Sequence, residues 1–139
     1  APETMRLERT ATETVPQAIA DAVSYIQDRG TARVVVAFTS SGFTAELISN
    51  LFSPHPILAL TSDPRVMRAL SLYRSVYPVR TAAPESFEEM ERIVSAAARE
   101  QAGLQAGDRV IVTGGAPFGQ TMPTNFMMIT TIKDEREAR

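Results

Sequence analysis

Four hydroxyl side chains within six residues stand out in the sequence: Thr39, Ser40, Ser41 and Thr44, interrupted by Gly42 and Phe43. The segment leaves an apolar β-branched run and enters a helical pattern. Hydroxyls and backbone N–H groups at a positive helix end favour an anion, with phosphate the leading guest. The simpler alternative is that Ser41 only caps the helix, but a cap needs one hydroxyl and four are supplied. A second segment runs from Thr113 to Asn125 and contains Gly115, Ala116, Pro117, Phe118, Gly119, Gln120, Thr121 and Met122. Its glycines and prolines shape a tight loop that can fold over a ligand. The alternative is a plain wide connection between two strands. No Gly-Lys-Ser/Thr follows, and the spacing is not that of a dinucleotide-binding turn.

Candidates for catalysis are thin. His55 is the only histidine, and it stands in a turn between Pro54 and Pro56. No serine sits in a nucleophile elbow, so a Ser-His-Asp assembly is not supported. Glu85, Glu88, Glu89 and Glu91 gather at a helix start, where they suit the helix dipole and read as a solvated face rather than a metal cluster. There is no cysteine, which excludes disulfides, thiolate metal sites and cysteine nucleophiles. The residues point to binding more readily than to catalysis.

These segments need elements to hold them. Val15, Ala18, Ile19, Ala22, Val23 and Ile26 recur at helical spacing and predict a helix from about Thr12 to Arg29, capped by Thr12 and stopped by Gly30. The run Arg33 to Phe38 predicts a strand buried on both faces. A short helix follows from Ser41-Gly42, carrying Leu47, Ile48 and Leu51, and then a strand at Ile57 to Leu60. Asp63-Pro64 starts a helix over Arg65 to Tyr73, with Val66, Leu70 and Tyr73 on one side and Met67 beside them. Val76 to Arg80 is a third strand, and Ser86 caps a helix whose stripe is Phe87, Met90, Ile93, Val94 and Ala97. Asp108 to Val112 and Asn125 to Ile132 supply the last two strands. The order αβαβαβαββ predicts an α/β three-layer sandwich: four parallel strands, with helices on both faces. The fifth strand is expected antiparallel at an edge, because no helix precedes it.

Composition agrees with one globular domain: 139 residues, 44% hydrophobic and 22% charged. A net charge of −2 and pI near 5.4 give no basic footprint for nucleic acid. No apolar run approaches the roughly 18 residues of a membrane span, so no membrane partner is expected. A cytoplasmic location fits the lack of cysteine. The start Ala1-Pro2-Glu3, without methionine, suggests a piece of a longer chain cut at a domain boundary; ordinary methionine removal is the alternative.

Taken in order, VVVAFTSSGFTAELIS, PILALT, an Arg-x-x-x-Leu-Tyr-Arg helix end, VYPV, Gly107-Asp108-Arg109-Val110-Ile111-Val112 and Gly115-x-Pro117-x-Gly119 with Thr124-Asn125 resemble the C-terminal domain of pyruvate kinase. The resemblance covers about Thr10 to Ile132. It implies a regulatory domain that binds a phosphorylated effector and helps build a homotetramer. No catalytic residue or cofactor is then expected in this chain, since the reaction of phosphoenolpyruvate with ADP, with magnesium and potassium, belongs to a separate barrel. By position, Thr39, Ser40, Ser41, Gly42, Phe43 and Thr44 look like the effector phosphate loop. Gly115 to Met122 look like the loop that closes over the effector, ordered when phosphate binds.

Some residues depart from the family pattern. Phe52-Ser53 stands where Arg-Pro is usual, and Met122 where glycine is common. A basic residue of fructose-bisphosphate binders falls near Glu89 or Met90, and there is no tryptophan. A sugar monophosphate or AMP is therefore the expected effector. The alternatives are a ligand-free assembly domain, or a stand-alone phosphate-binding protein or phosphatase of the same fold.

Overall fold

The computed structural model describes residues 4–6, 8, 13–49 and 55–134. The elements follow the expected order: α1 (Val15–Arg29), β1 (Val35–Phe38), α2 (Phe43–Ser49), β2 (Ile57–Thr61), α3 (Pro64–Leu70), β3 (Val76–Arg80), α4 (Phe87–Ala102), β4 (Arg109–Gly114) and β5 (Phe126–Thr131). The strands form one sheet in the order β3-β2-β1-β4-β5. β1 pairs in parallel with β2 and β4, β2 pairs in parallel with β3, and β5 returns antiparallel to β4. No helix among the described residues is long and apolar enough to cross a membrane.

Alternate residues of each central strand feed opposite faces, which is why these strands are continuously apolar. Val35 and Ala37 of β1, with Ile57 and Ala59 of β2, pack on Ala20 and Val23 of α1, Ala45 and Ile48 of α2, and Leu70 of α3. Val36, Phe38, Leu58 and Leu60 face the other way, onto Met90, Val94, Ala97 and Ala98 of α4. Three helices thus cover one face and α4 covers the other. Burying each large side chain stabilises the fold by roughly 1.5–3 kcal/mol. Pro78 is tolerated in β3 because that strand is at the sheet edge.

Several details differ from the sequence reading. The cap of α1 is Thr14, whose hydroxyl accepts from the Gln17 N–H; Thr12 and Leu51 lie outside the described residues. The buried line of α1 is Ala20, Val23 and Gln27, while Val15 and Ala18 are exposed. Gln27 faces inward because its Nε2 donates to the Arg33 carbonyl at 2.8 Å, tying the end of α1 to the start of β1. α3 ends at Leu70, so Tyr73 packs from the following turn. Phe87 is 59% exposed rather than part of the α4 stripe, because it leans on the loop after β4.

Two outcomes follow from this packing. Met90 is fully buried beneath the sheet, so Met90→Ala should cost about 2–5 kcal/mol in denaturant unfolding with an unchanged slope. At the start of α3, Asp63 accepts from the Arg65 N–H at 2.8 Å; that bond, then the Arg65 guanidinium, holds its carboxyl below the usual aspartate range. A lowered folded-state pKa means that the cap's contribution is present above the ordinary aspartate value and is lost as pH falls through the depressed one. In an acid titration the Arg65 amide signal should therefore move below pH 3.8, and Asp63→Asn should abolish that movement.

Candidate functional site

The carboxyl ends of β1, β2, β3 and β4 open on the same edge of the sheet, where ligands of such sheets bind. From the end of β1, residues 39–44 turn into α2. Thr39 is buried, and its hydroxyl accepts the Gly42 N–H at 2.6 Å and the Ser41 N–H at 3.3 Å. The Ser41 hydroxyl accepts the Phe43 N–H at 3.4 Å. The hydroxyl-rich segment therefore folds as a cradle of N–H groups held on its own side chains. Gly42 needs its left-handed φ of 81°, and a Cβ there would also press on Leu70 at 3.2 Å. Ser40 and Ser41 are exposed, whereas Thr44 is buried.

From β4 the chain turns back over this edge. The Thr44 hydroxyl shares a hydrogen bond with that of Thr124, eighty residues away and equally buried. The Asn125 side chain accepts from the Ala116 N–H at 2.8 Å and donates to the Ala116 carbonyl at 2.7 Å, closing the base of the loop. Phe118 sits among three other rings, edge-on to Phe38 at 5.7 Å, to Phe126 at 5.7 Å and to Phe87 at 6.0 Å. Phe118 thus ties the 115–122 loop to β1, β5 and the start of α4. Edge-to-face ring pairs are worth about 0.5–1.5 kcal/mol each beyond their buried area.

The two segments meet around two spaces, and the 115–122 loop borders a third. A cleft of ≈ 180 Å³ lies between Thr39 and Ser40 on one side and Phe118 to Gln120 and Met122 on the other. A second, ≈ 240 Å³, lies between Ser41, Phe43 and Thr44 and the stretch Thr121 to Thr124. A third, ≈ 570 Å³, lies between the start of α4 and Ala116 to Gly119. Thr61, Ser62 and Thr81, at the ends of β2 and β3, complete the first cleft. The sequence reading missed these three and the Thr44–Thr124 and Asn125–Ala116 links. Their position just after predicted strands was a usable signal for the first three; the links depend on the fold. No charged side chain lines the first cleft among the described residues.

The other candidates do not line the first cleft. His55 is half-buried just before β2, at the opposite end of the strands. Glu88 and Glu89 occupy the first turn of α4, and Glu89 accepts from the Glu85 N–H. No three metal-binding side chains come together among the described residues. Beside α2, partial burial and then the charge of Glu46 hold the Tyr73 hydroxyl above the usual tyrosine range.

The chain matches the family model described as pyruvate kinase, alpha/beta domain, over residues 17–130. It is 32% identical to a pyruvate kinase of Lactobacillus delbrueckii subsp. bulgaricus over 130 residues, covering 94% of this chain and 22% of that one. It is 35% identical to a pyruvate kinase of Lactococcus lactis subsp. lactis over 126 residues, covering 91% of this chain and 25% of that one. The chain thus spans about a quarter of the length of these relatives. The fold is similar to the crystal structure of a pyruvate kinase from Cryptosporidium parvum: TM-score 0.75, 27% identity, 88% of this chain and 24% of that one.

Gly115 gives the test of loop geometry. A Cβ there would lie 2.5 Å from the Met122 carbonyl oxygen and 2.8 Å from that of Pro123, so the facing backbone must move. Gly115→Ala should cost about 1–3 kcal/mol of stability, with amide-signal changes concentrated at 115–125 and in the 39–44 segment.

Proposed function

The chain belongs to the pyruvate kinase alpha/beta domain family, and from that premise we propose that it is the effector-binding and assembly domain of a pyruvate kinase. The phosphoryl transfer from phosphoenolpyruvate to ADP, with its magnesium and potassium, is assigned to a barrel domain outside these 139 residues. The observation that carries the reading is the convergence of residues 39–44 with the 115–122 loop over one sheet edge. The ligand is a small molecule with one phosphate, a sugar monophosphate or AMP. Its phosphate takes the place of the Thr39 and Ser41 hydroxyls at the N–H groups of Ser41, Gly42 and Phe43. The uncharged cleft offers no cation to a second phosphate, and Glu85 and Glu89 stand beyond it at the start of α4.

Regulation then acts through the loop and its neighbours. A ligand changes subunit packing in a homotetramer only if it binds the two quaternary states differently, with a coupling of about 1–3 kcal/mol. The ligand's leverage lies in ordering the 115–122 loop, which Phe118 packs against Phe38, and in shifting the 39–44 turn with its Thr44–Thr124 link. The proposed cellular setting is the cytoplasm.

Titration with glucose 6-phosphate, ribose 5-phosphate and AMP tests the reading. At least one should shift the amide signals of Thr39 to Thr44 saturably, and Thr44→Val should weaken that binding about tenfold. Phosphate compounds that leave those signals unmoved would sink the effector role; stable self-association indifferent to them would leave an assembly domain.

A further inference from the structure

Phe118 lines both the ≈ 180 Å³ cleft and the ≈ 570 Å³ space at the start of α4, and the same is true of Ala83, Pro84 and Gly119. The two spaces are therefore neighbours along one groove, divided where the loop meets the segment before α4. Across that divide the chemistry changes. On the inner side stand the hydroxyls of Thr39, Thr61 and Thr81. On the outer side stand Phe87, Pro117 and the Glu85 carboxylate. The Phe118 ring is the bulkiest of the shared residues, and its contacts with Phe38, Phe87 and Phe126 fix it in the dividing position.

We infer that Phe118 is a specificity-determining residue: its ring partitions one groove into two compartments and confines the ligand to the inner, hydroxyl-lined one. This rests on the effector reading of the cleft. The partition sets ligand length. With its phosphate on the N–H groups of the 39–44 turn, a ligand of one phosphate and one sugar places the sugar in the inner compartment and stops at the ring. A group attached beyond the sugar meets the edge of Phe118 and is turned out into solvent, where it contributes little to affinity. Removing the ring joins the compartments and lets that group lie between Phe87 and Pro117.

Ribose 5-phosphate and AMP make a matched pair, since they share the phosphate and the ribose and differ by the attached base. In the 139-residue chain, the ratio of the two dissociation constants and the amide signals of Glu85 to Phe87 are read for wild type, Phe118→Ala and Phe118→Leu. The expected result is that F118A shifts the ratio toward AMP by at least tenfold and moves the 85–87 signals only with AMP. F118L, which keeps the bulk, should hold the wild-type ratio within about twofold. If F118A does not fold, F118V opens the same passage more narrowly and must shift the ratio in the same direction. A ratio unchanged in the variants while wild type binds either compound overturns the partition and leaves the effector reading intact. If wild type binds neither, the effector reading fails; the partition then survives only if F118A or F118V acquires AMP binding at 85–87, and is overturned if they do not.

Discussion

The reversal of direction between β4 and β5 is the constraint on which the rest of this structure depends. β4 runs parallel to β1 on one side and antiparallel to β5 on the other. A parallel β5 would require a crossover along a face of the sheet, and the connecting residues would leave the carboxyl edge. An antiparallel one obliges residues 115–125 to double back across that edge, directly beside the point where β1 releases Thr39. The strand order adds the second half of the arrangement. β2 and β3 build away from β1 on one side and β4 lies on the other, so the chain after β1 and the chain after β4 flank the switch point. The contact between Thr44 and Thr124 is a consequence of that layout, and so is the position of the three clefts.

The chemistry of the edge follows from its construction. It presents hydroxyls and backbone N–H groups, with charged side chains kept to the rim. Those N–H groups donate to Thr39 and Ser41. A neutral hydrogen bond contributes about 0.5–1.5 kcal/mol net, and one to a charged acceptor about 1.5–3. Under the proposed function, exchange of a hydroxyl for a phosphate oxygen is thus favourable by about 1 kcal/mol per bond. The Phe118 ring cluster ties the loop to β1 and β5, and such preorganisation lowers the ordering cost of the proposed binding.

Much of this was legible in the residues. β-branched runs bounded by glycine and proline located all five strands, and the lack of a helix before Phe126 correctly made the last one antiparallel. Ser86, Asp63-Pro64 and Gly30 marked helix ends because capping is local chemistry. What escaped was set by partners distant in sequence. Gln27 is absent from the apolar stripe read for the first helix, yet it is buried because its side chain donates to the Arg33 carbonyl. Phe87 fitted a helical stripe, yet its ring belongs to a loop thirty residues further on. The cluster of four hydroxyls reads as an anion site, and two of them also brace the fold, through Gly42 and Thr124. Periodicity reports which face of an element is apolar; it cannot report which polar group another segment will satisfy.

The central claim is that residues 39–44 and the 115–122 loop together form one anion-binding site at this edge. A crystal structure of the chain grown with glucose 6-phosphate tests it most directly. The account predicts the phosphate group within hydrogen-bond distance of the Ser41 and Gly42 N–H groups, with the Thr39 hydroxyl displaced and the sugar beneath the 115–122 loop. A phosphate bound elsewhere, with the Thr39 hydroxyl still accepting the Gly42 N–H, would contradict it.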